Sequence, residues 1–359
     1  MKIVFRWFGE SFDSIALSQI KQIPQVHGIV TSLLDKQPGE LWELDEITKI
    51  KERIASFGFS MDVIESVNVH EDIKLGVSSR DFYIENYIKT IANLSKAGVK
   101  VLCYNLMPAF DWARSELARK MPDGSEVMSY RHADILKLDP KTLVDSFDKQ
   151  SGGFDLPGWE PDRLKEISNL IEIYNHMPTE AYWKNVKYFL NAVIPYAEKY
   201  DVKMAIHPDD PPWQIFGLPK VISNRENIQK FLALYDSPHN GLSICSGSLG
   251  ANPANDIPAI IREFGAQGKI HFGHVRNIIK YSEKDFDETA HNTCCGSLDL
   301  FEIMKAYFDV GFEGYIRPDH GRMIWGEKAR PGYGLYDRAL GISYLNGLWE
   351  AITKMNKLR

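Results

Sequence analysis

Residues 1–15, MKIVFRWFGESFDSI, open on an apolar, partly β-branched run that reads as a strand over 2–8 and leaves it through Trp7, Phe8, Gly9 and Glu10. A doubly wound dinucleotide-binding sheet wants G-x-G-x-x-G at that turn, so that the backbone can approach a pyrophosphate at the next helix. No such turn follows. The nearest imitation, Gly332, Tyr333 and Gly334, follows no strand, lacks the third glycine and reads as a loop. Arg6 interrupts the apolar run and no small-residue cleavage site follows it, so the segment is not expected to be a signal peptide.

Outward from that first strand, short β-branched runs alternate with stretches of helical period, the order expected of a parallel sheet wrapped by helices. The strands read as 2–8, 26–32, 61–66, 99–105, 202–207, 242–245, 269–275 and 313–317, and helices as 44–57, 81–96, 181–200, 224–235, 256–264 and 298–310. Ser223 and Asn224 signal one helix start, while Gly98 and Gly311 close two others. Eight strands without a dinucleotide turn predict α/β architecture in the form of a single closed (β/α)8 TIM barrel over 1–359. The 107–180 connection breaks the rhythm between strands four and five. Structureless loops seldom exceed about 15 residues, so this one is expected to contain a hairpin or cap in its first part and a helix at 161–176. At the C-terminal face, where barrel active sites lie, such a helical insertion reads as a lid or pocket wall.

Lys plus Arg number 42 against 48 Asp plus Glu, a formal charge of −6 with no block of one sign, so neither nucleic acid nor an anionic membrane is an expected partner. No apolar run approaches the roughly 18 residues of a membrane span. Four cysteines, two of them adjacent, make no disulfide framework, and the expected compartment is the reducing cytoplasm.

Metal-capable side chains fall at one kind of place. His207 ends strand five, Cys245 ends strand six, His274 lies near the end of strand seven and Asp319 ends strand eight. The C-terminal ends of barrel strands converge on one mouth, so these four can meet although far apart in sequence, and imidazole, thiolate and carboxylate together suit a divalent ion. Taken singly, a strand-end histidine is more often structural and a buried cysteine is usually a small hydrophobe. Strand seven also offers His271, which alternation puts on the opposite face from His274. His274 is the expected ligand, with Arg276 on its face, and His271 the alternative. His70, His132 and His291 sit in loops and read equally as solvated or functional. Asp209 and Asp210, before two prolines, read as shaping the loop after His207.

The strings FRW (5–7), HPDDPP (207–212), CSGSLGANP (245–253), HFGHVRN (271–277), RPDHGR (317–322) and PGYGLYDRALG (331–341) together resemble the mannonate dehydratase family along essentially the whole chain. That resemblance implies a metal-dependent barrel, related in architecture to xylose-isomerase-like enzymes. It further implies Mn²⁺ or Fe²⁺ as cofactor and conversion of D-mannonate to 2-dehydro-3-deoxy-D-gluconate and water. Such a dehydration needs a base for the C2 proton and an acid for the departing C3 hydroxyl. His320, beside Asp319, and Tyr333, in PGYG, are the expected pair, and the resemblance points to the same two. A histidine near pKa 6.5 serves either way, whereas a tyrosine near 10 must be depressed before it acts as a base, so their directions stay open. Arg276 and Arg317 are expected to balance the substrate's charge, with Arg6, Trp7, Asn105 and Asn277 as further hydrogen-bonding contacts. The expected partner is a small sugar acid, and the expected assembly a homo-oligomer, a dimer. The rival readings are a metal-dependent sugar isomerase on the same barrel and a non-catalytic sugar-acid binding protein.

Overall fold

All eight runs become strands, and the computed structural model, which describes residues 1–138, 150–154 and 167–357, adds four short strands outside the barrel. In chain order the strands are β1 (Lys2–Arg6), β2 (Gly28–Thr31), β3 (Ser60–Glu65), β4 (Val101–Tyr104), β5 (Glu116–Lys120), β6 (Glu126–Tyr130), β7 (Lys203–Ile206), β8 (Asn240–Cys245), β9 (Ile270–His274), β10 (Ile278–Lys280), β11 (Phe286–Glu288) and β12 (Tyr315–Arg317). Eight of them close a barrel in the order β1-β12-β9-β8-β7-β4-β3-β2. Every neighbouring pair in it is parallel.

The helices expected between the strands are present at Leu44–Ala55, Arg80–Lys96, Thr179–Lys199, Arg225–Leu234, Ile257–Ala266 and Leu300–Asp309. Their ends have local causes. Asn224 accepts from the Asn227 amide at 2.8 Å and Asp256 from that of Ala259 at 2.9 Å, satisfying backbone donors that a first turn leaves open. Gly98 and Gly311 leave their helices at φ of +82° and +64°, a left-handed turn that a side chain would disfavour. A long closing helix, Leu335–Lys357, is not legible as a separate period in the sequence. No helix among the described residues is long and apolar enough to cross a membrane.

Alternation along the strands separates two cores. Val4, Val30, Val63, Val101, Ala205, Phe272 and Tyr315 belong to a small cluster of their own, distinct from the large core between strands and helices. Two residues further along the strands stand Arg6, Glu65, His207, His274 and Arg317, with Cys103, itself part of the small cluster, at the same level. One apolar layer therefore lies under one polar layer, as period two requires. Register aligns the upper layer: His274 pairs with both Cys245 and Arg317.

The 107–180 connection holds the expected hairpin, β5 with β6, and a helix at Ile167–His176. Positions 161–166 of the helix expected at 161–176 lie outside the described residues. The hairpin does not stand alone. β6 pairs antiparallel with β11, and β11 with β10, so a four-stranded sheet ties the connection after β4 to the loop after β9.

Candidate active site

His207, Cys245, His274 and Asp319 meet at the C-terminal mouth, with one ligand atom from each within 4.8 Å of all the others. His207 Nε2 and His274 Nδ1 are 3.1 Å apart, and the Cys245 Sγ lies 3.3 Å from Asp319 Oδ2. The neighbours of these groups orient them. His207 Nδ1 is 2.7 Å from the Pro208 carbonyl, which can only accept, so the proton sits on Nδ1 and the Nε2 lone pair faces the cluster. His274 Nε2 accepts from Arg317 Nε at 3.1 Å and lies 3.4 Å from Glu65. Cys245 Sγ accepts from the Ser248 hydroxyl at 3.1 Å. Burial alone would raise the Asp319 carboxyl, but His320, Arg317 and His274 hold it well below the usual range. His271, three residues earlier on the same strand, is absent from this group and hydrogen-bonds the Met204 carbonyl at 2.9 Å.

Beside the cluster lies a cleft enclosing about 610 Å³ of empty space, its open mouth included. Arg6, Asn105, Arg317, His320 and Tyr333 line it, as do Met107, Asp111 and Trp112 from the connection after β4. His320 Nε2 is 3.1 Å from the Tyr333 hydroxyl. Burial pushes the Tyr333 phenol up to about 12, with Arg317 the leading opposing influence, so it keeps its proton at neutral pH. Arg6 is lowered by burial to about 10, against the pull of Glu65, and stays cationic.

Three side chains expected on the substrate, Arg276, Asn277 and Trp7, are not among those lining the cleft. Arg276 is wholly buried and spent on carboxylates: Asp319 at 2.7 Å, Glu288 at 2.6 Å and Asp210 at 2.9 Å. β9 ends at His274, so the alternation that would aim Arg276 inward no longer applies two residues later. Asn277 is used up on backbone, donating to the Asn292 and Leu298 carbonyls at 3.1 and 3.2 Å and accepting from the Ile278 and Leu298 amides at 2.9 and 3.0 Å. Trp7 follows inward-facing Arg6, so alternation turns it outward, where its indole donates to the Ile15 carbonyl at 2.9 Å. Arg317 does line the cleft but is already held by Glu65 and Asp319, at 2.9 and 2.8 Å. Among the described residues the Arg6 guanidinium makes two long hydrogen bonds, 3.4 Å each, to the Trp7 and Val30 carbonyls, and lies 4.3 Å from the centre of the Phe8 ring.

Arg276 belongs to a buried charge group that includes Asp210, read from the sequence as a loop residue, and Glu288 and Arg114, which the sequence did not single out. Asp210 and Glu288 are bridged by Arg114 as well as Arg276, at 2.8 and 2.7 Å. Of the adjacent acids only Asp209 shapes the loop, accepting from the Val221 and Ile222 amides at 2.8 Å each, while Asp210 belongs to this buried charge group. Asp210 could have been marked by the improbability of burying two adjacent acids without partners. Glu288 and Arg114 carried no such signal. Among the loop histidines, His70 accepts from the Asp72 amide at 3.1 Å, His132 lies 3.0 Å from the Tyr130 hydroxyl, and His291 is buried. Cys103 lines the cleft, its thiol pushed well up by burial, and Cys294 and Cys295 are exposed.

The family model described as D-mannonate dehydratase (UxuA) matches residues 1–359. A mannonate dehydratase of Thermotoga neapolitana is 60% identical over 357 residues, covering 99% of each chain. The crystal structure of mannonate dehydratase from Streptococcus suis serotype2 superposes with a TM-score of 0.90 at 42% identity, covering 99% of this chain and 96% of that one. A xylose isomerase domain protein from Planctomyces limnophilus shares the fold at a TM-score of 0.55 and 11% identity, covering 98% of each chain.

Proposed function

The chain belongs to the D-mannonate dehydratase family and is a hydro-lyase, and from that premise we propose that it removes water from D-mannonate by a metal-dependent acid–base elimination at the barrel mouth. The observation that carries this reading is the meeting of four metal-capable donors beside the His320–Tyr333 pair, within a cleft that also holds a cation not engaged by any carboxylate among the described residues.

The donors fit a divalent ion. The His207–His274 and Cys245–Asp319 contacts are each bridged by one proton, and a divalent cation among these four groups would take the place of those protons. His207, Cys245, His274 and Asp319 would hold it, as Mn²⁺ or Fe²⁺. Bound there, it would supply positive charge against the negative charge that develops when C2 loses its proton.

The protein's own groups then divide the work. Arg6 seats the substrate carboxylate, since Arg317 is committed to Glu65 and Asp319. Asn105 orients a hydroxyl. His320 Nε2 takes the C2 proton, and the C2–H electron pair becomes the C2–C3 double bond as the C3–O bond breaks. Tyr333, kept protonated by burial, gives its proton to the departing hydroxyl, which leaves as water. The 3.1 Å contact lets His320 return its proton to the Tyr333 oxygen, and the enol then becomes the 2-keto acid. The connection after β4 serves as pocket wall through Met107, Asp111 and Trp112. The acting unit is taken as a homodimer in the cytoplasm, where four free cysteines stay reduced; light scattering that gives a monomer mass would remove the dimer.

The deciding assay incubates purified protein with D-mannonate and Mn²⁺ or Fe²⁺ and follows 2-keto acid. Stoichiometric keto acid is expected. Binding of D-mannonate without product would leave a sugar-acid binding protein, and turnover of an aldose instead would leave an isomerase.

A further inference from the structure

The small sheet outside the barrel brings one carboxylate to the proposed proton carriers. β11 ends at Glu288, which is 1% exposed and has no place in the barrel. Its Oε1 lies 3.1 Å from His320 Nδ1 and accepts from Arg114 Nη2 at 2.7 Å and Arg276 Nη1 at 2.6 Å, while its Oε2 accepts from Arg276 at 2.6 Å. Both guanidiniums are anchored at their far ends. Arg114 donates to both oxygens of Asp210, at 2.8 and 2.9 Å, and Arg276 reaches Asp210 at 2.9 Å and Asp319 at 2.7 Å. All these groups are buried, so the carboxylate has little freedom to turn.

We propose that Glu288 is a positioning residue for the dehydration: it holds the proton of His320 on Nδ1 and fixes the ring so that Nε2 faces Tyr333 and the substrate. This rests on the reading of His320 as a proton carrier. Which nitrogen of a histidine is free to act is set by the bond the other one makes. A carboxylate can only accept, so it selects Nδ1–H, the logic by which a buried acid orients the histidine of a serine protease. The partners of Glu288 explain why it can do so from a short outlying strand. Two arginines against Asp210 and Glu288 make a neutral group of four, and that group ties the sheet to the barrel mouth.

Two substitutions separate positioning from charge balance. Glu288→Gln keeps an oxygen at the Oε1 position and removes the charge; Glu288→Asp keeps the charge and withdraws the oxygen from Nδ1. If Glu288 positions His320, the Asp protein should lose about 100-fold in kcat, as displacement of a catalytic group by about 1 Å can cost, and should hold KM within about threefold. The Gln protein should stay closer to the parent. Nitrogen-15 spectra of labelled histidine should show His320 protonated on Nδ1 in the parent and Gln proteins, and a mixture of tautomers in the Asp protein. Bound metal should be the same in all three. A Gln protein slower than the Asp protein, equal rates in the two, or an unchanged tautomer in the Asp protein would overturn the inference. His320→Asn is measured in parallel. If it retains turnover, the reading of His320 itself has failed; if it loses turnover while Glu288→Asp keeps the parental rate and tautomer, only the role of Glu288 has.

Discussion

Strand β9 carries one histidine toward each end of the barrel, and the two have opposite fates. His274, at the C-terminal end, faces His207, Glu65 and Asp319 and belongs to the donor cluster. His271, three residues earlier, lies against the Met204 carbonyl and Gly241, and burial depresses it to about 3, so it is neutral at any ordinary pH. The same side chain on the same strand stands among charges in one position and, in the other, is a neutral packing group bonded through Nδ1 while its buried Nε2 has no hydrogen-bond partner among the described residues. Strand direction decides this: in a parallel barrel the C-terminal ends open onto the connections that carry the functional groups, while at the N-terminal end His271, although it borders a cavity there, is buried and bonded to a backbone carbonyl.

The sharpest way to break the contrast is to remove each histidine in turn. His274→Asn should abolish metal binding and reduce turnover by more than the roughly 100-fold that loss of an outer partner to a ligand costs. His271→Gln, which can still donate to Met204, should bind metal and turn over at the parental rate. Metal content after dialysis, read together with D-mannonate turnover, checks both. Equal losses from the two substitutions would erase the distinction between the ends.

A smaller effect tests which cation at the mouth meets the substrate. Arg6→Gln should raise KM for D-mannonate by about 10- to 100-fold, the value of a charge-assisted bond of about 1.5–3 kcal/mol, and leave kcat within a few-fold. A rise in KM from replacing Arg276 with bound metal intact, and none from Arg6→Gln, would return the substrate contact to Arg276.

How much of this was legible in the sequence follows from where the chain is still a strand. Within β1, β3, β9 and β12 the period of two holds, so Val4 under Arg6, Val63 under Glu65, Phe272 under His274 and Tyr315 under Arg317 could all be read as one inward column each. The ends of eight apolar runs therefore located the mouth and its four donors. Beyond those ends alternation has no authority. Arg276 and Asn277 stand only two and three residues past β9, yet one is bound into carboxylates and the other into backbone. The outward turn of Trp7 was readable, because its odd step from Arg6 already sets it on the other face, where its indole meets the Ile15 carbonyl. Glu288 was not readable at all: β11 is the three residues FDE, with no apolar alternation, and it is a strand through its pairing with β10 on one side and, on the other, with β6, 156 residues away where Tyr130 meets Phe286. Pairing between distant loops is a tertiary fact that local pattern does not contain.

The mildest test of the comparison uses pH on the end of the barrel that does no chemistry. His271 has a pKa of about 3 when folded, against about 6.5 for an unfolded histidine. Above 6.5 neither state holds the proton, and this group contributes nothing to the pH dependence. Below it the unfolded chain takes up a proton that the folded protein refuses, so stability falls as pH falls, by up to about 1.4 kcal/mol per pH unit for one group, until about pH 3. His291, lowered by burial to about 4, adds a slope of the same sign. The buried carboxylates Glu65, Glu288 and Asp319 are shifted down, so their contribution is intact above the unfolded carboxyl range near 4 and is lost only below it. Between pH 6 and 5 these three carboxylates keep their contribution, and Asp209, whose carboxyl burial raises, affects the parent and the His271→Gln protein alike. Urea unfolding across that window should show the parent losing stability with acidification, and His271→Gln losing it more gently by about one proton's worth. Identical slopes would mean that His271 titrates alike in both states, and that its burial at the N-terminal end of the barrel does not exclude the charge.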